Sequence, residues 1–312
     1  MGMKLGDIAD LTGYSLYGDG SIEINAVRYA NEASYGELAV ALSRRDIDNT
    51  GACSVLTEHC LIFTDKTLLM CYCDIYSAAV KISLILTENG MLADYSLPTN
   101  YRLCEGNYYI GSNVSTGDGT YIAPMAFIGD NVSIGAGCYI GENVRIGSGT
   151  VIGDNTRISY GSNIGADCSF TYRDEDRMMN FCGVGITRIG SGVYIGSNTV
   201  IQRGTFSDTV IGDGCMIADM VNIGHDVKIG RGCRIVSQSG IAGNAVLEDN
   251  VQLLGQSAVC GFVKVGRGAV IKGKSAAVHN VPSGTSVFGI YGRDAAEEIR
   301  TDAKIRRFMK GR

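Results

Sequence analysis

An aliphatic residue returns at every sixth position through the middle of the chain. The beat runs from Ile110 to Ile164, resumes from Ile189 to Ile201, and resumes again from Ile211 to Ile271. Of its 24 positions, 23 are aliphatic, Thr116 being the exception, and many are followed by Gly. A period of six fits neither a helix nor the two-residue alternation of a strand. It is the repeat of a parallel β-helix. Three hexapeptides close one triangular coil, each supplying a short strand and a corner, with the beat residue inside and stacked on its equivalents above and below. The small residue after the beat is read as the one that permits the tight corner. The 24 hexapeptides predict eight coils, which at ~4.8 Å between strands make a column roughly 40 Å tall. The interior is then full, and chemistry is expected on an outer face or in a loop.

Two breaks in the beat locate such loops. Between Ile164 and Ile189 an excess centred on residues 172–185 carries Arg173, Asp174, Glu175, Asp176 and Arg177. Between Ile201 and Ile211 a shorter bulge spans Arg203 to Asp208. Insertions in a solenoid tend to gather on its binding face.

The flanks follow other patterns. Residues 1–104 lack the beat. Leu5, Ile8, Ala9 and Leu11 have helical spacing with Gly13 as a stop, and 74–87 reads as a second helix. Residues 22–26 and 54–61 read as strands, so a small N-terminal α/β domain is expected, joined by a linker at 96–100. The β-helix is assigned to 105–288. Residues 289–312 intersperse Ala295, Ile299, Ile305, Phe308 and Met309 with Arg and Lys, which predicts a basic amphipathic C-terminal helix. Its apolar stripe would cover the column or another subunit. Its basic face would meet an acidic partner or solvent.

Composition narrows this picture. The chain has 312 residues, 43 of them Gly, and is 45% hydrophobic, so the glycines are explained by repetition rather than disorder. A net charge of −5 argues against nucleic acid as a partner. The 11 cysteines show no zinc spacing and read as free thiols. The N-terminus lacks an apolar signal core and the longest apolar stretch, 68–86, contains Asp74 and Lys81. A cytoplasmic protein with no membrane span is expected.

There are three histidines: His59, His225 and His279. His225 follows beat residue Ile223 by two, places its side chain outward, and has Asp226 beside it. Gly243 lies one coil of 18 residues further on and so stacks directly against it. An imidazole base with a backbone N–H at its side is a minimal acyl-transfer site.

The segment Asn222-Ile223-Gly224-His225-Asp226, followed by Ser239-Gly240-Ile241-Ala242-Gly243, resembles the active-site coils of the hexapeptide-repeat acyltransferases of lipid A synthesis. Ile201-Gln202-Arg203-Gly204 with Asp208-Thr209-Val210-Ile211-Gly212 is similar to their UDP-3-O-(3-hydroxyacyl)glucosamine N-acyltransferase branch. The resemblance implies a mainly β protein, a left-handed parallel β-helix with a small N-terminal α/β domain and a C-terminal helix, assembled as a homotrimer. It implies an acyl carrier protein as donor, delivering the acyl group on its phosphopantetheine arm, a UDP-amino sugar as acceptor, and no tightly bound cofactor or metal. Carried onto this chain, His225 is the general base and the Gly243 amide the oxyanion donor. Asn222, Asp219 and Arg203 are placed with the substrate, and the C-terminal helix meets the carrier protein.

Two stretches depart from that pattern. The N-terminal segment that holds uracil between aromatics in the family reads Leu38-Ala39-Val40-Ala41-Leu42-Ser43-Arg44-Arg45-Asp46 here, with Val40 and Asp46 in the aromatic places. Phe262 stands where some members carry a further His. An acyltransferase acting on another nucleotide sugar or surface-polysaccharide precursor therefore competes with the first reading, as does a non-catalytic trimeric scaffold. A zinc hydratase on the same fold would need three converging His, and only His225 and His279 fall in the repeat.

Overall fold

The computed structural model describes residues 2–58, 64–95, 99–174, 177–289 and 295–309. His59, the end of the strand expected to run to Leu61, most of the 96–100 linker, and Glu175 and Asp176 lie outside them. So do Arg293, Lys310 and Arg312 of the basic C-terminal segment.

The parallel β-helix is present. Its strands, mostly two residues long, stack into three parallel sheets, one per face of the prism. Coil-to-coil register joins beat residue to beat residue: Ile128 pairs with Ile146, Ile146 with Ile164, Ile223 with Ile241, and Ile241 with Val259. The aliphatic beat residues fill one continuous buried core from Ile128 to Ile271. The column runs past both ends of the 24-beat count. Leu103 and Arg102 add an antiparallel strand at the first coil, and Ala277, Val281 and Val287 continue the last ones. The column therefore has close to nine coils. The closing residues escape the pattern because Ala277 is small and the last coil is shorter than the rest.

The corners work differently from the expectation. The left-handed backbone of each corner falls three residues after the beat, mostly at Asn or Gly such as Asn131 (φ 56°), Asn155 (φ 54°) and Gly137 (φ 65°). Asn tolerates this region because its short polar side chain can bond locally. The Gly directly after the beat answers to a different constraint. A Cβ on Gly117 would come within 2.4 Å of the Ala136 nitrogen one coil up. Close approach of coils, not turn geometry, keeps that position bare.

The N-terminal residues form a five-stranded sheet in the order Ser15–Tyr17, Thr67–Met70, Ser54–Thr57, Glu37–Val40, Ala26–Tyr29. All neighbours are parallel except the first pair. Helix α1 (Leu5–Thr12) ends at Gly13, whose φ of 75° closes it. Helix α2 (Arg44–Asn49) is capped by Ser43, and α3 (Ile75–Glu88) by Asp74, whose carboxylate accepts from the Ser77 N–H. Leu11 of the expected apolar set is 59% exposed, while Leu5 and Ile8 are fully buried.

Both breaks in the beat leave the column to join this N-terminal unit. The longer one opens as a hairpin, Phe170–Asp174 against Arg177–Phe181. The shorter one carries Phe206, which is wholly buried and packs edge-on to Tyr29 (5.6 Å) and Phe170 (5.9 Å), with Phe181 at 5.8 Å. Phe181 and Phe206 thus belong to the N-terminal hydrophobic core. The C-terminal helix α4 (Ala295–Met309) leaves Ile299, Ile305, Phe308 and Met309 exposed, so its apolar stripe does not cover the column.

Because Phe206 has no exposed surface and three aromatic neighbours, Phe206→Ala should cost about 3–5 kcal/mol of stability. Equilibrium urea unfolding would measure it. A loss under 1 kcal/mol would show that the loop does not tie the two parts together.

Candidate active site

His225 lies at the corner after the strand Asn222–Ile223, as its spacing predicts. Its side chain is 17% exposed, less than the outward placement implied, because two neighbours close on the ring. Phe170, at the base of the hairpin, meets it edge-on at 5.6 Å and 89°. Gly243, one coil up, lies under it: a Cβ there would stand 2.5 Å from His225 Cε1 and 2.6 Å from Nε2. The imidazole can rest on the next coil only because residue 243 has no side chain.

Asp226 fixes the ring. Its Oδ2 is 2.7 Å from His225 Nδ1, and its side chain is almost wholly buried. Its Oδ1 accepts from the backbone N–H of Thr205 and of Ser207, both at 2.9 Å, and its own N–H donates to Thr209 Oγ1 at 2.9 Å. With Oδ1 filled by two donors, Oδ2 is left as the acceptor for Nδ1–H. That tautomer leaves the Nε2 lone pair free to take a proton. The Arg203–Asp208 bulge thus supplies the amides that anchor the carboxylate that orients the base. Asp226 itself sits at φ 59°, a backbone region that Asp tolerates better than most residues.

The Gly243 amide is available for a cause visible along the column. Two residues after the beat, an Asp on the coil above repeatedly accepts the N–H of the coil below. Asp130 takes that of Ser112, Asp154 of Ala136, Asp213 of Ser191, Asp219 of Ser197 and Asp249 of Arg231. Above Gly243 the equivalent residue is Gly261. With no carboxylate there, the Gly243 N–H donates to no described residue. It lies beside the imidazole, where an oxyanion donor is needed.

Of the other expected site residues, Asn222 stays close to the imidazole, while Asp219 and Arg203 have structural partners of their own. Asn222 is exposed on the strand leading to His225. Asp219 is one of the repeated corner caps, its Oδ1 held 2.7 Å from the Ser197 N–H. Arg203 turns away from His225, down the column. It is 2% exposed, stacks on Tyr95 at 4.1 Å, and donates through Nη2 to the carbonyls of Ser148 (3.2 Å) and Gly165 (3.3 Å). Burial pulls its pKa down, against the opposing pull of Asp167. Arg203 therefore braces the loop and lines a separate cavity with Tyr95, Arg145 and Asp167. His279 is exposed near the end of the column.

Beside Asp226 opens a cavity of ≈ 310 Å³ between the N-terminal unit and the column. Tyr29, Glu32, Val40, Leu42 and Asp46 form one wall, and Asp226, Lys228, Asn244 and Phe262 the other. Lys228 Nζ bonds Ser207 Oγ and the Asp208 carbonyl, both at 2.7 Å, and Glu32 at 3.2 Å. Tyr29 accepts from Asn244 Nδ2 at 3.4 Å, and burial with Asp226 nearby raises its pKa. Phe170, Tyr29 and Lys228 are not legible in this role from the sequence, since none carries a spacing signal relative to His225. Phe262 was conspicuous only by departing from the resemblance.

A chain of these features carries the repeat of the hexapeptide transferases. The family described as bacterial transferase hexapeptide (six repeats) matches residues 131–166 and 208–243. The UDP-3-O-acylglucosamine N-acyltransferase of Parvibaculum lavamentivorans is 56% identical over 112 residues, covering 36% of this chain and 32% of that relative, so the match spans about a third of its length. Solved structures of UDP-N-acetylglucosamine acyltransferases are similar as well. That from Francisella novicida is 28% identical with TM-score 0.52, covering 64% of this chain and 71% of its own. That from Arabidopsis is 28% identical with TM-score 0.52, covering 62% and 68%. The resemblance read from residues 201–243 is borne out by these matches.

Gly243→Ala tests the contact under the ring. The backbone there tolerates Ala, so melting temperature should change little, while the His225 ring must move off the coil. A shifted His225 Cε1–H signal in NMR is expected. An unchanged signal would mean that the imidazole does not rest on Gly243.

Proposed function

We propose that this chain is a hexapeptide-repeat N-acyltransferase that moves a 3-hydroxyacyl group from acyl carrier protein to the 2-amine of a UDP-3-O-acyl-glucosamine. The observation that carries the reading is the triplet of Asp226, His225 and the unclaimed Gly243 N–H. The amine nitrogen attacks the thioester carbonyl carbon while His225 Nε2 removes a proton from it. The oxyanion is held by the Gly243 N–H. As the intermediate collapses the C–S bond breaks, and the proton on His225 passes to the leaving thiolate, which departs as free thiol on the phosphopantetheine arm. Asp226 keeps the ring oriented and steadies its charged form. Every group the transfer needs is a side chain or amide of the protein, and the acyl donor brings its own arm.

The neighbouring cavity holds Lys228, bonded to Glu32 and the 203–208 loop, while Asp46 is committed to the Leu42 N–H and Ser43 Oγ and Asp226 to His225 and the loop amides. The Val40-to-Asp46 wall lacks aromatic rings, which keeps a different nucleotide sugar as the second reading. One outer face carries exposed Tyr121, Tyr194 and Met216 with half-buried Tyr139, Tyr121 stacking on Tyr139 at 5.6 Å and Arg157 lying over Tyr139 at 4.0 Å between them. We assign this face to contact with further copies of the chain in a homotrimer. The exposed stripe of α4, with its basic residues, is assigned to acyl carrier protein. No helix among the described residues is long and apolar enough to cross a membrane, and the reading places the protein in the cytoplasm with its carrier protein and nucleotide-sugar substrates.

Purified protein given 3-hydroxyacyl carrier protein and a 3-O-acylated UDP-glucosamine should yield a new amide by mass spectrometry. His225→Ala should lower turnover on the order of 10²–10⁴-fold. Equal turnover in that variant would remove the mechanism, and no amide from folded wild type would remove this acceptor.

A further inference from the structure

Phe262 occupies a backbone position at odds with its side chain. Its φ is 61°, in the left-handed region, at a corner place that Asp226 and Asn244 fill on the coils below. Asp and Asn accept that conformation, whereas a bulky aromatic residue there is strained. The ring is not buried in return: Phe262 is 61% exposed. Its backbone is held by a bond from its N–H to the Gly243 carbonyl at 3.2 Å, so the strained corner is pinned to the active coil. The side chain lines the cavity next to Asp226.

Leu42, from the opposite wall of the same cavity, is also exposed, at 44%. It precedes the Ser43 cap of α2. Asp46 cannot serve as a ring-binding group, because its Oδ2 accepts from the Leu42 N–H at 3.1 Å and from Ser43 Oγ at 2.9 Å, closing the helix N-terminus. Two large apolar side chains therefore face one slot from two parts of the fold. Polar edges are supplied by Asn31 and Asn244, whose amides offer both a donor and an acceptor. An apolar slot with amide edges suits a flat heterocycle such as a nucleobase. Phe262 lies about two coils above His225, ~10 Å along the column, which leaves a diphosphate bridge between a base held there and a sugar at the imidazole.

We infer that Phe262 is the stacking platform for the acceptor's nucleobase, with Leu42 as its opposite wall, and so determines nucleotide specificity. This rests on the reading that a nucleotide-linked acceptor occupies the cavity. The column then supplies the aromatic surface that residues 38–46 lack. The strain at residue 262 is retained because the ring meets ligand rather than protein.

The test compares full-length wild type, Phe262→Ala, Phe262→Tyr and Phe262→Asn by calorimetric titration with UDP and, separately, with glucosamine 1-phosphate. Phe262→Ala should weaken UDP binding roughly ten- to a hundredfold, the range of base–aromatic stacking. Phe262→Tyr should restore it, and glucosamine 1-phosphate affinity should stay the same in all four. Phe262→Asn should lose UDP affinity yet melt at higher temperature, because Asn relieves the corner. UDP affinity unchanged by Phe262→Ala, or no UDP binding by wild type, overturns the inference. So does amide formation with an unaltered KM in Phe262→Ala, and that result leaves the proposed reaction standing. UDP binding through Phe262 in a protein that forms no amide overturns the reaction alone.

Discussion

One constraint governs the molecule: the prism interior has room for one large aliphatic side chain per hexapeptide and, four residues on, a smaller one such as Val132, Cys138 or Thr156. Stacked beat residues from Ile128 to Ile271 leave the core closed. Neighbouring coils approach so tightly that the residue after the beat often cannot carry a Cβ. Packing at this density tolerates neither an added nor a missing residue in the wall. Any extra sequence must leave the column at a corner, and the chain uses that necessity twice.

The two excursions do separate jobs at one place. Residues 170–181 bring Phe170 edge-on to His225, and residues 203–208 bring two amides to Asp226. Both then enter the N-terminal core through Phe181 and Phe206. The base is thus oriented by a carboxylate whose own position depends on a loop pinned from the far side by aromatic packing. Catalytic geometry of this kind requires support from groups that touch no substrate. It also explains why the N-terminal sheet and the column act as one framework around the cavity at Asp226.

Regularity and its interruption carry different information. At five corners an Asp on the coil above takes the N–H of the coil below. Above Gly243 stands Gly261, so the Gly243 N–H keeps no carboxylate partner beside the imidazole. Phe262 is the aromatic residue among left-handed corners otherwise held by Asn, Asp, Gln, Met, Lys or Gly. Asp219 shows the opposite case: the resemblance sets it beside substrate, while the corner pattern gives its Oδ1 the structural partner that Asp130, Asp154, Asp213 and Asp249 also have.

The sequence by itself determined the coil, the inward residues, the two excursions, and the stacking of His225 on Gly243. All of these follow from a fixed period that places residue i over i+18. The helices near Leu5 and Ile75 were legible through their own spacing and caps. Tertiary structure alone decided what the period cannot encode. Arg203 lies two residues after a beat, as His225 does, yet its long side chain runs down the column to Tyr95 and the Gly165 carbonyl. Tyr29, Leu42 and Lys228 meet around one cavity because an aromatic core folds the N-terminal sheet against the excursions. Those contacts join residues far apart in the chain with no common spacing, and only packing brings them together.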